Sequence, residues 1–92
     1  MNRQQPSVPH VTFYTKAGCH LCDTARDRLD EIAEQQNYLL NEIDIRHDPA
    51  LFEQYRYRIP VILIDETVAA EGRITYEDLV VAFQHHNDTL KA

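Results

Sequence analysis

The chain has no run of about 18 apolar residues, so no segment reads as a transmembrane helix. It has no basic cluster either. Its 9 Lys and Arg are scattered among 15 Asp and Glu, for a net charge of −6. Nucleic-acid binding draws much of its affinity from Lys and Arg on phosphates, so neither a nucleic-acid nor a membrane partner is expected. Residues 1–9 are polar, contain Pro6 and Pro9, and lack the apolar core of a signal peptide. A cytoplasmic location is the resulting expectation. Internal repeats and low-complexity tracts are absent. Cysteine is scarce: only Cys19 and Cys22 occur, with no second pair to complete a zinc tetrahedron.

What remains is an ordinary globular composition, 43% hydrophobic and 26% charged, over 92 residues. That length suits one domain with one modest core. The expected organisation is a loose arm over residues 1–9, a domain over 10–86 and a tail over 87–92.

Hydrophobic patterning divides the domain into elements. His10 to Thr15 is rich in β-branched and aromatic residues and reads as a strand, broken by Ala17-Gly18. Leu21 to Gln36 reads as a helix, because Cys22, Ala25, Leu29, Ile32 and Ala33 recur at spacings of three and four. Tyr38 to Ile45 reads as a second strand with Leu39, Ile43 and Ile45 on one side. Asp48-Pro49 starts a short helix, since Asp48 can accept from orphan N–H groups and Pro49 suits the first turn. Its inner face is Leu51, Phe52 and Tyr55. Pro60 to Ile64 is a buried strand, and Thr67 to Ala70 its return across Asp65-Glu66, a turn without the usual Gly. Thr75 caps a last helix with Tyr76, Leu79, Val80 and Phe83 inward and His85 and His86 near its end. Tyr55, Tyr57 and Tyr76 read as core or rim packing.

The order is β-α-β-α-β-β-α, which needs one parallel crossover and one antiparallel hairpin. A four-stranded mixed sheet flanked by helices is expected.

The chemistry lies in Cys19-His20-Leu21-Cys22, between the first strand and the first helix. Cys-x-x-Cys at such a junction points to dithiol redox chemistry. The spacing places the sulfurs about one helical turn apart, and a helix N-terminus favours a thiolate there. As a structural staple the pair would be weak, because closing four residues gives only about 2 kcal/mol in the entropy model. His20 could stabilise a Cys19 thiolate if protonated, and Asp23 could keep Cys22 a thiol. Asp23 also suits the first helical turn on its own account.

With these elements in place, the chain resembles the glutaredoxin branch of the thioredoxin superfamily, and within it the small bacterial glutaredoxin-like proteins. The resemblance spans residues 10 to 86. It rests on Tyr14-Thr15-Lys16-Ala17-Gly18-Cys19-His20-Leu21-Cys22, on the Ile59-Pro60 step before a buried strand, and on the element order. It implies an α/β thioredoxin-like fold, Cys19 as attacking nucleophile and Cys22 as resolving thiol. It also implies a cis-Pro60 beside the pair, with the backbone at Ile59 free to bind an extended substrate. Lys16 matches a lysine that in glutaredoxins helps hold glutathione.

Two departures bear on glutathione. Ala70-Glu71-Gly72-Arg73-Ile74-Thr75 carries one Gly where glutaredoxins have a Gly-Gly pair, and Glu71 brings negative charge to that region. Arg58 stands before Ile59-Pro60, where glutaredoxins often have Thr. Arg56 and Arg58 could flank the groove and attract carboxylates. The reading is a monomeric thiol–disulfide oxidoreductase with no metal or organic cofactor. It would act on a disulfide-bearing protein or small thiol, bind glutathione weakly, and be reset by an external reductase or thiol donor. The alternatives are a glutathione-dependent iron–sulfur cluster carrier and a non-catalytic binding module on the same fold.

Overall fold

A computed structural model describes residues 8–91. The elements are β1 (His10–Thr15), α1 (His20–Ile32), β2 (Leu39–Asp44), a 3-10 turn (Ile45–His47), α2 (Pro49–Tyr55), β3 (Val61–Ile64), β4 (Thr67–Glu71) and α3 (Tyr76–Lys91). The expected arm at 1–9 lies almost entirely outside the described residues. The strands form one mixed sheet in the order β2-β1-β3-β4. β1 and β2 are parallel, joined by the α1 crossover, while β1–β3 and β3–β4 are antiparallel.

Side-chain alternation explains the layers. A strand sends successive residues to opposite faces. On one face Val11, Phe13, Ile62 and Ile64 meet Cys22, Ala25, Leu29 and Ile32 of α1 and Leu79 and Phe83 of α3, all nearly or fully buried. On the other, Val61 packs with Ile45 and Tyr55, flanked by Tyr14, Leu63, Leu51 and Phe52. Helices therefore cover β3 on both faces, which accounts for its unbroken apolar run. Each fully buried aliphatic or aromatic side chain contributes about 1.5–3 kcal/mol over its exposed state.

The caps are where the residue types place them. Asp48 accepts from Ala50 and Leu51 N–H groups, with Pro49 in the first turn of α2. Thr75 Oγ1 accepts from Asp78 N–H, and Asp78 Oδ2 accepts from Thr75 N–H, each at 3.0 Å, a reciprocal capping box for α3.

Several expectations need correction. α1 ends at Ile32, four residues short of Gln36; Ala33 to Gln35 form turns instead. Leu39 does not face inward but is 56% exposed, because β2 is an edge strand. Ile45 is buried from the 3-10 turn, not from β2. α3 continues through Lys91, so residues 87–91 extend a helix where a tail was expected. His85 and His86 are thus interior to α3, and His86 Nε2 lies 3.2 Å from Asp65 Oδ2. Tyr55 is buried as expected, but Tyr57 is 86% exposed, with the Arg56 guanidinium over its ring.

The Asp65-Glu66 turn works without glycine by accepting positive φ at both residues, +47° and +73°. Asp65 is tied in place: its N–H donates to the His10 carbonyl, and its Oδ1 accepts from His10 N–H.

Candidate active site

Gly18 sets up the dithiol. Its φ of +81° lies in the left-handed region, where glycine carries no Cβ penalty. This turn lets the chain leave β1 and enter α1 with Cys19 as N-cap. Cys19 N–H donates to the Lys16 carbonyl at 3.3 Å, and Cys19 Sγ accepts from Cys22 N–H at 3.2 Å. The Cys22 N–H is shared with the Cys19 carbonyl at 3.1 Å, so the sulfur is a second acceptor for an N–H of the first helical turn.

Cys19 and Cys22 are joined as a disulfide, with Cα atoms 5.1 Å apart. Their surroundings differ. Cys22 is 1% exposed and belongs to the main core with Ala25 and Leu29. Cys19 is half-buried at the rim of that core. Of the two, Cys19 is the more exposed.

His20 is exposed, and its ring makes no hydrogen bond among the described residues. Asp23 is likewise exposed in the first turn, its N–H donating to the Cys19 carbonyl. Its carboxylate suits the positive end of the helix dipole. Lys16 is half-buried one turn before Cys19.

The Ile59–Pro60 peptide is cis, and Pro60 is buried. Gly72 N–H donates to the Pro60 carbonyl at 2.8 Å, fixing the end of β4 against this loop. The backbone at Ile59 is less free than expected. Its N–H donates to the Tyr55 carbonyl at 3.1 Å, which also takes the Arg58 N–H at 2.8 Å. The last turn of α2 closes on itself this way, through the Tyr55 carbonyl.

Arg58 and Glu71 form a two-pronged ion pair, Nε to Oε1 at 3.0 Å and Nη2 to Oε2 at 3.1 Å. The guanidinium lies 5.0 Å from the centre of the Tyr55 ring, which stacks on Tyr14 at 4.4 Å. The guanidinium holds the Glu71 carboxyl below its ordinary value. Burial raises the Tyr14 phenol above its ordinary value, with Tyr55 and Asp48 adding to the effect. Glu71 is therefore not the lone repelling charge expected from the sequence. Arg56 points elsewhere, over Phe52 and Tyr57.

Two features escaped sequence reasoning: the pairing of Arg58 with Glu71 and the Gly72–Pro60 bond. A separate groove of about 680 Å³ between β4 and α3, lined by Val68, Ala70, Val81, Ala82, His85 and His86 among others, does not include the cysteines. Among the described residues no three His, Cys, Asp or Glu side chains are grouped to hold a metal, and no helix is long and apolar enough to cross a membrane.

Residues 10–84 match the family model described as "Glutaredoxin-like domain (DUF836)". A glutaredoxin-like protein of Dictyostelium discoideum, the YDR286C homolog, is 26% identical over 76 residues, covering 76% of this chain and 70% of that protein. Rv0508 of Mycobacterium tuberculosis is 30% identical over 64 residues, covering 64% of this chain and 66% of its own length. Among solved structures, protein Ne2328 from Nitrosomonas europaea superposes with a TM-score of 0.71 at 22% identity, over 88% of this chain and 96% of that one. Thioredoxin 1 from Thermosipho africanus superposes with a TM-score of 0.66 at 12% identity, over 90% and 99%. The fold is thioredoxin-like.

Proposed function

The chain belongs to the glutaredoxin-like domain family, and from that membership we propose that it is a thiol–disulfide oxidoreductase of the cytoplasm, working as a monomer. The observation that carries the reading is the unequal exposure of two bonded sulfurs at a helix N-terminus: Cys19 half-buried, Cys22 at 1%.

In the reduced protein the Cys19 thiolate attacks one sulfur of a substrate disulfide. A Cys19–substrate bond forms, the substrate S–S bond breaks, and the departing thiolate takes a proton from water. Cys22 then loses its proton and attacks Cys19 Sγ. The second substrate thiolate leaves, and the protein disulfide remains. One substrate disulfide becomes two thiols while two protein thiols become one disulfide. An external thiol or reductase reverses the protein half.

Lys16, His20 and Asp23 modulate the pair by charge. Ile59, Pro60 and Arg58 form the wall against which the substrate lies. Glutathione is a weak partner in this scheme, because the Ile59 N–H and the Arg58 guanidinium already have internal partners. A protein disulfide is the better substrate.

The test is disulfide reduction by the purified protein, supplied with glutathione and its reductase in one assay and with thioredoxin reductase in another. Turnover in either, lost in Cys19→Ser, supports the reading. Absence of turnover in both would sink it.

A further inference from the structure

We propose that Arg58 and Glu71 form a selector for substrate charge, in which Glu71 occupies the guanidinium that a carboxylate-bearing disulfide would otherwise engage. This rests on the oxidoreductase reading above and names the substrate class that it favours: disulfides without a carboxylate near the sulfur.

The register of the hairpin makes the pairing possible. Ile64 faces Thr67 and Leu63 faces Val68, but Ile62 faces Ala70 and Val61 faces Glu71. One extra residue, Ala69, has been inserted. Without that bulge Glu71 would face Pro60 rather than Val61. A one-residue slip moves a side chain to the other face of a sheet. The bulge therefore turns Glu71 toward the face that Val61 shares with Tyr55 of α2, which is the side from which Arg58 reaches over. The same slip leaves Ala70 beside Ile62 on the main core face.

The pair also stands at the reacting end of the sheet. Tyr14, Val61 and Glu71 lie in one row across β1, β3 and β4. Two residues after Tyr14 the chain enters the Lys16–Cys19 turn; two residues after Arg58 comes cis-Pro60; and Gly72, next to Glu71, bonds to Pro60.

A two-pronged guanidinium–carboxylate pair satisfies the planar fork of Arg that would recognise a substrate carboxylate. A ligand carboxylate gains from Arg58 only by displacing Glu71, and Glu71 is then left repelling it. Neutral and cationic ligands meet neither cost. Removing Glu71 frees a cation; removing Arg58 uncovers an anion. Preference for anionic disulfides should therefore rise in the order Arg58→Gln, wild type, Glu71→Gln.

The experiment uses the reduced full chain in single-turnover reaction with three small disulfides of similar size: dithiodipropionate (anionic), hydroxyethyl disulfide (neutral) and cystamine (cationic). The readout is each second-order rate divided by that for hydroxyethyl disulfide, which cancels any general loss from a weakened fold. In Glu71→Gln the anion ratio should rise about fivefold, and in Arg58→Gln it should fall by a similar factor, the scale of one partly exposed charge pair. The cystamine ratio should move oppositely, and high salt should compress every difference. Glu66→Gln, which removes a charge at the far turn of the same hairpin, should leave the ratios unchanged. Ratios equal in wild type and both variants would overturn the selector alone. A wild-type protein that reduces none of the three but still reduces a protein disulfide such as those of insulin would overturn the selector alone; one that reduces neither would overturn the oxidoreductase reading as well.

Discussion

The backbone N–H of Cys22 donates to Cys19 Sγ at 3.2 Å, so one sulfur of the pair caps the helix that carries the other. In the reduced protein a thiolate at Cys19 inherits that hydrogen bond and the field of the helix end. Cys19 is expected to ionise below the free cysteine value of about 8.5. Ultraviolet thiolate absorbance against pH checks this. Alkylation at neutral pH, mapped by mass spectrometry, should label Cys19 well before the buried Cys22.

Exposure also separates the two single mutants. Cys22→Ser should accumulate a mixed disulfide between Cys19 and substrate, because nothing resolves it. Cys19→Ser should trap little, since its remaining sulfur is 1% exposed. Equal trapping by the two variants would refute the assigned roles.

Gly18→Ala should destabilise the protein by about 1 kcal/mol, since an L-residue at φ +81° pays the left-handed penalty. Beyond the adjoining residues no atom lies within 4 Å of the added Cβ, so a larger loss in denaturant unfolding would require another cause.

Glu66→Gly should act in the opposite direction. Glu66 holds φ +73° in a two-residue hairpin turn of the kind that favours glycine at this position. Relief of that strain should raise stability by up to about 1 kcal/mol, offset in part by the greater freedom of the unfolded chain. The urea midpoint is the measurement.

The Arg58–Glu71 pair predicts a pH dependence. Its guanidinium lowers the folded-state value of the Glu71 carboxyl. A group so depressed contributes stability that is present above its unfolded value and lost as pH falls through the folded one. The stability difference between wild type and Glu71→Gln should therefore be full at neutral pH and close as pH drops below the ordinary glutamate value of 4.5. A difference unchanged in acid would mean that the pair contributes nothing through charge.

Local signals made most of the fold legible. The apolar spacing from Cys22 to Ile32, the Asp48-Pro49 start and the dense run of β3 each state their element directly. What could not be read depends on neighbours. Leu39 belongs to a strand pattern, but only sheet order makes that strand an edge and leaves the side chain in water. Ala33 continues the helical spacing, yet the last regular turn ends at Ile32, where burial stops. At the site, the cysteines and Pro60 were legible because their chemistry is carried by residue type. The partnership of Arg58 and Glu71 was not. It depends on one bulged alanine, and Ala69 looks like any other residue of a strand.

In the proposed exchange Cys22 is at once a reactant and a core side chain, packed among Ala25, Leu29 and their neighbours. Its oxidation and the folding of the chain therefore close a thermodynamic cycle. Whatever free energy the folded core gains or loses when the disulfide opens must appear, with equal magnitude, as a difference between the reduction potentials of the folded and unfolded chains. A substitution such as Leu29→Ala, far from any substrate, can then shift the electron affinity of the pair if it affects the core of one redox form more than the other. The hydrophobic interior is in this sense part of the redox couple.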